Sequence, residues 1–261
     1  PEGFPAIAPI PAGRYTNPEF AEHERTAVFA TSWLYAAHVS EVPNPGDYTV
    51  VDLPIGPVIV VRGVDGEVRS FFNACRHRGA PVTRNTCGTA KLLVCQYHSW
   101  AYDTKGNLKN IPEERDFTGM DREDRALVGL RCEMWQGWIF VCNSDSTEPL
   151  IDWLTPLPEQ LAELHGENLR SLGRQTYEMT CNWKLAVHAF MEIYHVKTVH
   201  PESAALLYDP RRTTLAMFER GHNRLTIDKR PEMSFLNQEP GAPFDNESVG
   251  ELIRTTSCSF S

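Results

Sequence analysis

Two short stretches, each pairing one cysteine with one histidine, constrain this chain more than any other feature of its sequence. Cys75 and His77 are separated by one residue, Cys95 and His98 by two, and seventeen residues lie between His77 and Cys95. A loop that carries a thiolate and an imidazole so close together can direct both at one metal centre. Two such loops on neighbouring hairpins can hold a centre between them, so the sequence predicts a small β-domain whose loop tips meet.

Two cysteines and two histidines are the ligand set of a Rieske [2Fe–2S] centre, in which imidazoles replace the thiolates on one iron. The alternative is a structural zinc ion of the Cys2His2 type. Zinc fingers usually pair Cys with Cys and His with His, and their second pair lies on a helix. Here the pairs are mixed, and the apolar residues 92–94 before Cys95 are typical of a strand. The pattern therefore favours the iron–sulfur centre.

Composition excludes several classes of function. The 261 residues carry a net charge of −9, which argues against non-specific nucleic-acid binding. No apolar run approaches the roughly 20 residues of a membrane span, and the first residues lack the pattern of a signal peptide. The seven cysteines show no disulfide framework, which favours a reducing, cytoplasmic location. We expect Cys132, Cys142 and Cys181 in the core and Cys87 as a loop thiol.

Short β-rich segments follow one another between residues 38 and about 143. They lie at 48–53, 57–62, 67–72, 92–94 and 137–142. The Asp65–Gly66 pair between the second and third segments is a hairpin signal. These segments predict an antiparallel β-domain of about a hundred residues that carries both ligand loops. Before it, residues 1–16 are predicted as an extended arm, and Asn17 followed by Pro18 starts a helix that reaches about Trp33.

A stripe of apolar residues at spacings of three and four follows the β-domain. It predicts a helix that packs against the core, with Pro158 near its start and Gly166 at its end. The stripe comprises Leu150, Trp153, Leu154, Leu157, Leu161 and Leu164.

A second group of potential metal ligands lies in residues 180–201. Asn182 can cap a helix and Pro201 ends it, and Glu192 and His195 are three residues apart, on one helical face with His188. In a straight helix His200 points about 140° away from His195, so a π-bulge or a break is needed to bring the two imidazoles together. Two histidines and one carboxylate form the facial triad of non-haem Fe(II) sites.

With both groups present, the chain resembles the α subunit of a Rieske non-haem iron oxygenase, over about residues 15–215. One family motif matches at Cys75, His77, Cys95 and His98. The other matches at Asn182, Trp183, Lys184, Glu192, Tyr194, His195 and His200.

The resemblance implies an α+β fold. An antiparallel β Rieske domain with a [2Fe–2S] cluster, residues 38–155, is inserted in a catalytic domain of helices and antiparallel sheet of the helix-grip type. Residues 156–261 form the first part of that catalytic domain, and the arm and helix of residues 1–37 pack on it. The family's respiratory relatives join their two ligand loops by a disulfide whose positions correspond here to Ala80 and Tyr97, so the loops are expected to be untied.

The resemblance also implies an enzyme that hydroxylates a small organic substrate with O2 as co-substrate, aromatic rings being the first choice. Electrons from NAD(P)H would arrive through a reductase or ferredoxin. His195 and His200 would hold a mononuclear Fe(II), and Glu192 would link a cluster histidine, His98, to His195. A homotrimer, with or without β subunits, is implied, whereas nucleic-acid and membrane partners are not.

Three departures from the family pattern matter. The linking acid is commonly Asp and here is Glu192, which resembles members that act on quaternary amines, so a monooxygenase or demethylase is the alternative. His188 and Ala189 stand where the family often has Glu and Asn. The third iron ligand of the family is an Asp far downstream, and we expect it beyond Ser261, not at Asp209, Asp228 or Asp245. An electron-carrying Rieske protein without oxygenase chemistry remains an alternative of another class.

Overall fold

The computed structural model describes residues 8–230 and 256–259. The chain divides into two compact units. The large unit comprises Ala21–Trp153 and His165–Gln175, and the small unit comprises Pro1–Phe20, Leu154–Leu164 and Thr176–Ser261. Both helices and antiparallel sheets are present, which confirms the α+β class.

The large unit contains the strands β1 Leu34–His38, β2 Asp47–Leu53, β3 Gly56–Arg62, β4 Val68–Phe72, β5 Cys87–Thr89, β6 Leu93–Val94, β7 Ala101–Tyr102, β8 Leu108–Asn110, β9 Gly129–Trp135 and β10 Trp138–Cys142. Seven of them form a sheet that is antiparallel throughout, with the order β1-β10-β9-β4-β3-β2-β5. The other three form a separate antiparallel sheet with the order β6-β7-β8. The predicted antiparallel β-domain is therefore confirmed.

Strand β3 separates two apolar cores, because successive side chains of a strand point to opposite faces. Val58 and Val60 pack into one core, Ile59 and Val61 into the other, and all four are fully buried. The second core also contains both cysteines of the predicted ligand loops, together with Trp100 and Tyr102. The ligand loops are thus built on the hydrophobic core of the sheet.

In the small unit a series of short helices precedes three strands, β11 Tyr208–Met217, β12 Asn223–Lys229 and β13 Thr256–Ser259. These strands form an antiparallel sheet of the order β11-β12-β13. The α-helices of the two units, among the residues that the structure describes, are α1 Gly13–Thr16, α2 Pro18–Glu24, α3 Leu150–Trp153, α4 Leu157–Gln160, α5 Trp183–Phe190, α6 Val196–Val199 and α7 Ala204–Leu207. Within the part of the chain that the structure describes, none of them has the length and hydropathy needed to cross a bilayer.

Three sequence predictions of secondary structure need correction. The helix from Pro18 continues as a π-helix only to Phe29, and the arm before it contains α1. The single helix over the leucine stripe is wrong, because α3 and α4 are separate. Pro156 and Pro158 lack the amide hydrogens that a continuous helix would need. The stripe is nevertheless core, since Leu150, Leu154, Leu157 and Leu161 are all buried.

The cysteines outside the ligand loops differ in burial. Cys142 is buried and Cys132 is half-buried, and burial raises the pKa of the Cys132 thiol to about 11. Cys181 is exposed, so its prediction as a core residue is wrong. Cys87 is exposed too, but it lies on the edge strand β5 and not in a loop.

Candidate metal centres

The first ligand loop leaves the end of β4 and carries Cys75 and His77. The amide of Cys75 donates to the carbonyl of Ala80 at 2.8 Å, and the amide of Gly79 donates to the carbonyl of Cys75 at 2.8 Å. Gly79 adopts a φ of 72°, a conformation that glycine enters without the steric cost other residues carry. The loop is therefore closed on itself around Cys75.

The second ligand loop joins β6 to β7 and carries Cys95 and His98. The amide of Cys95 donates to the carbonyl of Trp100 at 2.9 Å, and that of Ser99 to the carbonyl of Cys95 at 2.8 Å. Ser99 has a φ of 57°, so a non-glycine residue holds a left-handed turn beside a predicted ligand.

The two loops bring their four donors together as a sulfur pair and an imidazole pair. The ring centroids of His77 and His98 are 4.6 Å apart. Both cysteines are unpaired thiols, 4% and 1% exposed. Burial raises the pKa of the Cys75 thiol, and the adjacent Cys95 thiol raises it further. The hydrogen bond from Tyr102 lowers this pKa, but by less than burial raises it. A bound metal reverses this effect, because its charge deprotonates coordinating thiols.

One buried atom also fits a metal ligand. Nδ1 of His77 is buried and has no hydrogen-bond partner among the described residues, whereas buried polar groups are normally paired. In those same residues no group of three or more His, Cys, Asp and Glu donors converges on one position. Each iron of a Rieske cluster takes two protein ligands, and the donors here form one thiol pair and one imidazole pair. Their arrangement therefore fits the cluster.

The two imidazoles differ in their surroundings. The ring of His77 stacks on Trp100, with centroids 4.8 Å apart and planes 8° apart, and meets the edge of Phe117 at 6.0 Å. Burial lowers the pKa of His77, and the charges of His98, Arg78 and Arg125 lower it further. His98 is exposed, and its ring contacts only Tyr97 and His77 among the ring contacts of the described residues.

Trp100 and Tyr102 contribute to this site, although the ligand spacing did not single them out. Both are buried, and the hydroxyl of Tyr102 lies 3.2 Å from Sγ of Cys75 while it accepts the amide hydrogen of Arg76 at 3.1 Å. Burial and the contact with Cys75 raise the pKa of Tyr102, so the phenol keeps its proton. The available signal was their spacing of two in an apolar segment, which places both side chains on one face.

The second group of predicted ligands lies in the small unit, after α5. Asn182 caps this helix as predicted, since its side chain accepts the amide of Lys184 at 3.1 Å. The helix ends at Phe190, however, so Glu192 and His195 do not share a helical face with His188 as the sequence suggested. His188 is exposed on α5, with its ring 6.1 Å from that of Tyr15.

His195 and His200 lie at the two ends of the four-residue helix α6. Their ring centroids are 5.5 Å apart, with the planes at 73°. The two imidazoles are therefore neighbours without the π-bulge or break that the sequence predicted between them. The helix runs unbroken from Val196 to Val199, and His200, at its end, departs from helical geometry with φ of −124° and ψ of 47°.

Glu192 fixes the orientation of His195. Its Oε2 accepts hydrogen bonds from the backbone amide of Tyr194 and, at 3.2 Å, from that of His195. Its Oε1 pairs with Nδ1 of the His195 ring. Burial would raise the pKa of Glu192, but these bonds outweigh it and the pKa is lowered. Because Nδ1 is engaged, Nε2 is the nitrogen left for a metal, the usual arrangement of a histidine ligand and its carboxylate partner.

A third protein donor for this pair is absent from the described side chains. Asp209 is engaged by Arg211, whose amide donates to it at 3.1 Å and whose Nε donates at 3.3 Å, and hydrogen bonds lower its pKa. The side chains of Asp228 and Asp245 lie outside the described residues.

Comparison with known proteins assigns both regions. Residues 32–126 match the Rieske [2Fe-2S] domain, and residues 166–250 match the catalytic domain of the ring hydroxylating alpha subunit. The alpha subunit of biphenyl 2,3-dioxygenase from Rhodococcus jostii is 36% identical over 74% of this chain and 43% of its own. The oxygenase subunit of carnitine monooxygenase from Acinetobacter baumannii is 31% identical over 77% of this chain and 56% of its own.

Solved structures show the same fold. A quaternary ammonium Rieske monooxygenase matches with a TM-score of 0.76 and 27% identity, over 84% of this chain and 60% of its own. Naphthalene 1,2-dioxygenase from Rhodococcus sp. bound to indole matches with a TM-score of 0.76 and 30% identity, over 86% of this chain and 54% of its own. The chain spans about half the length of the curated relatives it matches.

Proposed function

The chain belongs to the family of Rieske ring-hydroxylating oxygenase alpha subunits, and we propose that it is part of a terminal oxygenase that hydroxylates a small organic substrate with O2. Electrons from NAD(P)H reach it through a reductase or ferredoxin in the cytoplasm. The observation that carries this proposal is the presence, in one chain, of the paired thiols and imidazoles of the large unit and of the adjacent His195 and His200 rings of the small unit.

The residues are assigned to two metal groups. Cys75 and Cys95 would hold one iron of the cluster and His77 and His98 the other, in keeping with the burial of the two thiols and the contact between the two imidazole rings. His195 and His200 hold a mononuclear Fe(II), together with an Asp expected beyond Ser261. When bound, the cluster would supply one-electron transfer and the mononuclear iron would supply the chemistry that O2 activation requires.

The residues of this chain orient and shield these groups. Trp100 and Phe117 cover the ring of His77, whereas the ring of His98 is exposed and would be the cluster ligand that another subunit can reach. Glu192 holds Nδ1 of His195, and in a homotrimer, with or without β subunits, its carboxylate also meets a cluster histidine, His98, of the neighbouring subunit. A carboxylate between two ring N–H groups orients both. The domain limits that go with this proposal are 1–37, 38–155 and 156–261.

Aromatic ring hydroxylation is the favoured activity, because the relatives include the alpha subunits of biphenyl and benzene dioxygenases. Oxidation of a quaternary amine, or demethylation, is the second candidate. Glu192 favours it, as do the similarities to carnitine monooxygenase and to a quaternary ammonium Rieske monooxygenase. Binding of an aromatic hydrocarbon and of a quaternary ammonium ion to the full-length protein separates the two candidates.

The test begins with iron and acid-labile sulfide per chain and the EPR spectrum after reduction. Zinc without sulfide would contradict the cluster. In the full-length protein Glu192→Gln is then compared with the exposed control Glu202→Gln. We expect Glu192→Gln to retain both metals and its fold but to lose most turnover, because the carboxylate no longer joins the two histidines. Normal turnover in that variant would contradict the role of Glu192.

An electron-carrying Rieske protein is distinguished by the same preparation. It would reduce and reoxidise its cluster but would bind no mononuclear iron and form no hydroxylated product. Iron in excess of two per chain, lost in a His195→Ala variant, supports the oxygenase.

A further inference from the structure

Asn73 lies two residues before Cys75, and its side chain is buried. Its Oδ1 accepts the amides of Val82 at 2.8 Å and Thr83 at 3.1 Å, and its Nδ2 donates to the carbonyl of Thr83 at 2.9 Å. The side chain thus makes the bonds that a neighbouring strand would make with its backbone. It closes a ring of chain, residues 73–83, that contains both Cys75 and His77.

Both ends of this ring are attached to the large sheet. The amide of Asn73 donates to the carbonyl of Pro57 in β3 at 2.8 Å. The hydroxyl of Thr83 is hydrogen-bonded to that of Tyr48 in β2 at 3.2 Å. Asn73 therefore joins the point where the first ligand loop leaves the sheet to the point where it returns.

The second ligand loop needs no such side chain. It connects two paired strands, β6 and β7, and the amide of Cys95 donates to the carbonyl of Trp100 across its base. The first loop has the equivalent backbone bond, from the amide of Cys75 to the carbonyl of Ala80, but it runs from β4 to β5, which are not neighbours in the sheet. The chain below that bond is therefore not held by strand pairing, and the side chain of Asn73 supplies hydrogen bonds there instead.

We propose that Asn73 is a positioning residue of the iron–sulfur cluster, which holds Cys75 and His77 in their ligand geometry before metal binds. The proposal rests on the proposed function, in that Cys75 and His77 are taken as cluster ligands. Residues that orient ligands affect metal affinity and the electronic properties of the centre. Without the Asn73 side chain, the buried amides of Val82 and Thr83 lose their partner, and the loop can open.

The test compares Asn73→Ala and Asn73→Asp with Asn143→Ala, which removes an exposed asparagine of the same unit. Asp keeps an oxygen acceptor for both amides but loses the donor to Thr83. The readouts are iron and sulfide content, the rate of cluster loss to a chelator, the EPR spectrum, the reduction potential, and thermal unfolding of the metal-free chain.

We expect Asn73→Ala to lose its cluster at least tenfold faster than wild type, with altered EPR and potential, Asn73→Asp to be intermediate, and the control to be unchanged. If Asn73→Ala does not fold, Asn73→Asp decides by the same readouts. Variants that unfold more easily but keep the wild-type cluster-loss rate, EPR and potential would overturn the proposal, since Asn73 would then only stabilise the fold. A wild type without iron and sulfide would instead overturn the proposed function itself.

Discussion

The hydroxyl of Tyr102 lies 3.2 Å from Sγ of Cys75 and at the same time accepts the amide hydrogen of Arg76. Its proton is therefore directed at the sulfur. A hydrogen bond to a thiolate ligand stabilises the reduced, more negative cluster and raises its reduction potential.

Tyr102→Phe should lower that potential. With about 1 kcal/mol as the extra strength of this hydrogen bond in the reduced state, the decrease is about 40 mV, since a tenfold change is about 1.4 kcal/mol and about 59 mV for one electron. Redox titration followed by visible absorption measures it. Tyr35→Phe, on strand β1, is the control, and an unchanged potential in Tyr102→Phe would show that the hydroxyl does not act on the sulfur.

Ser99 should be replaceable by glycine with a gain in stability. Its φ of 57° costs about 1 kcal/mol for a residue with a Cβ. We expect Ser99→Gly to raise the free energy of unfolding by about 0.5–1 kcal/mol and Ser99→Val to lower it. Denaturant titration of the metal-free chain measures both. A glycine variant less stable than wild type would mean that the serine side chain contributes more than the backbone conformation costs.

Gly106 cannot accept a side chain. Its φ is 86°, and a Cβ there would lie 2.5 Å from Cε1 of Phe71, which is buried. Gly66 has nearly the same φ, 85°, but nothing within 4 Å of a Cβ. Gly66→Ala should therefore cost about 1 kcal/mol for the backbone alone, and Gly106→Ala about 2 kcal/mol more for the displaced core. Equal losses in the two variants would argue against the clash.

Lys184 should stabilise the small unit through aromatic rings. Its Nζ lies 5.4 Å from the ring centroids of Tyr15 and Phe20 and 5.2 Å from that of Trp183. We expect Lys184→Met to lower the unfolding free energy by about 1 kcal/mol, and Lys197→Met, an exposed control, to leave it unchanged. An equal loss of unfolding free energy in both variants would mean that the effect comes from removing a positive charge and not from contact with the aromatic rings.

Asp47 should make the large unit acid-sensitive. Hydrogen bonds, first from the Thr89 hydroxyl and then from Asn44, lower its pKa below the ordinary 3.8. Because the folded pKa is the lower one, the stabilisation is complete above 3.8 and is lost as the pH falls through the folded value. Asp47→Asn and Thr89→Val should both make the free energy of unfolding fall less steeply as the pH is lowered into the acid range. A fall as steep as that of wild type in both variants would mean that other carboxylates dominate.

The strands could be predicted because their signals are local. The apolar run of β3 and the Asp65–Gly66 turn fix a hairpin from a few adjacent residues. The ligand loops could be predicted because the spacing of thiol and imidazole is itself the chemistry. Neither inference needs to know which distant segments meet.

Other features depend on contacts between residues far apart in sequence. Phe117 reaches His77 from a separate loop, and Asn73 reaches Thr83 across the first ligand loop. The leucine stripe predicted correctly which residues are buried, but it predicted one helix where the structure has two. Apolar spacing indicates which residues face the core, whereas prolines decide whether the backbone stays helical. The break after Phe190 escaped prediction since Glu192 caps the next turn instead of continuing the helix.

His195 and His200 flank one helix of four residues. The distance between their imidazoles can therefore change only in steps of one helical residue. Each inserted or deleted residue turns the second imidazole by about 100° and moves it about 1.5 Å along the axis. The distance between the two donors therefore cannot drift gradually as the sequence changes. Any change in length within Val196–Val199 would abolish the pair outright, whereas the exposed side chains of this segment remain free to vary.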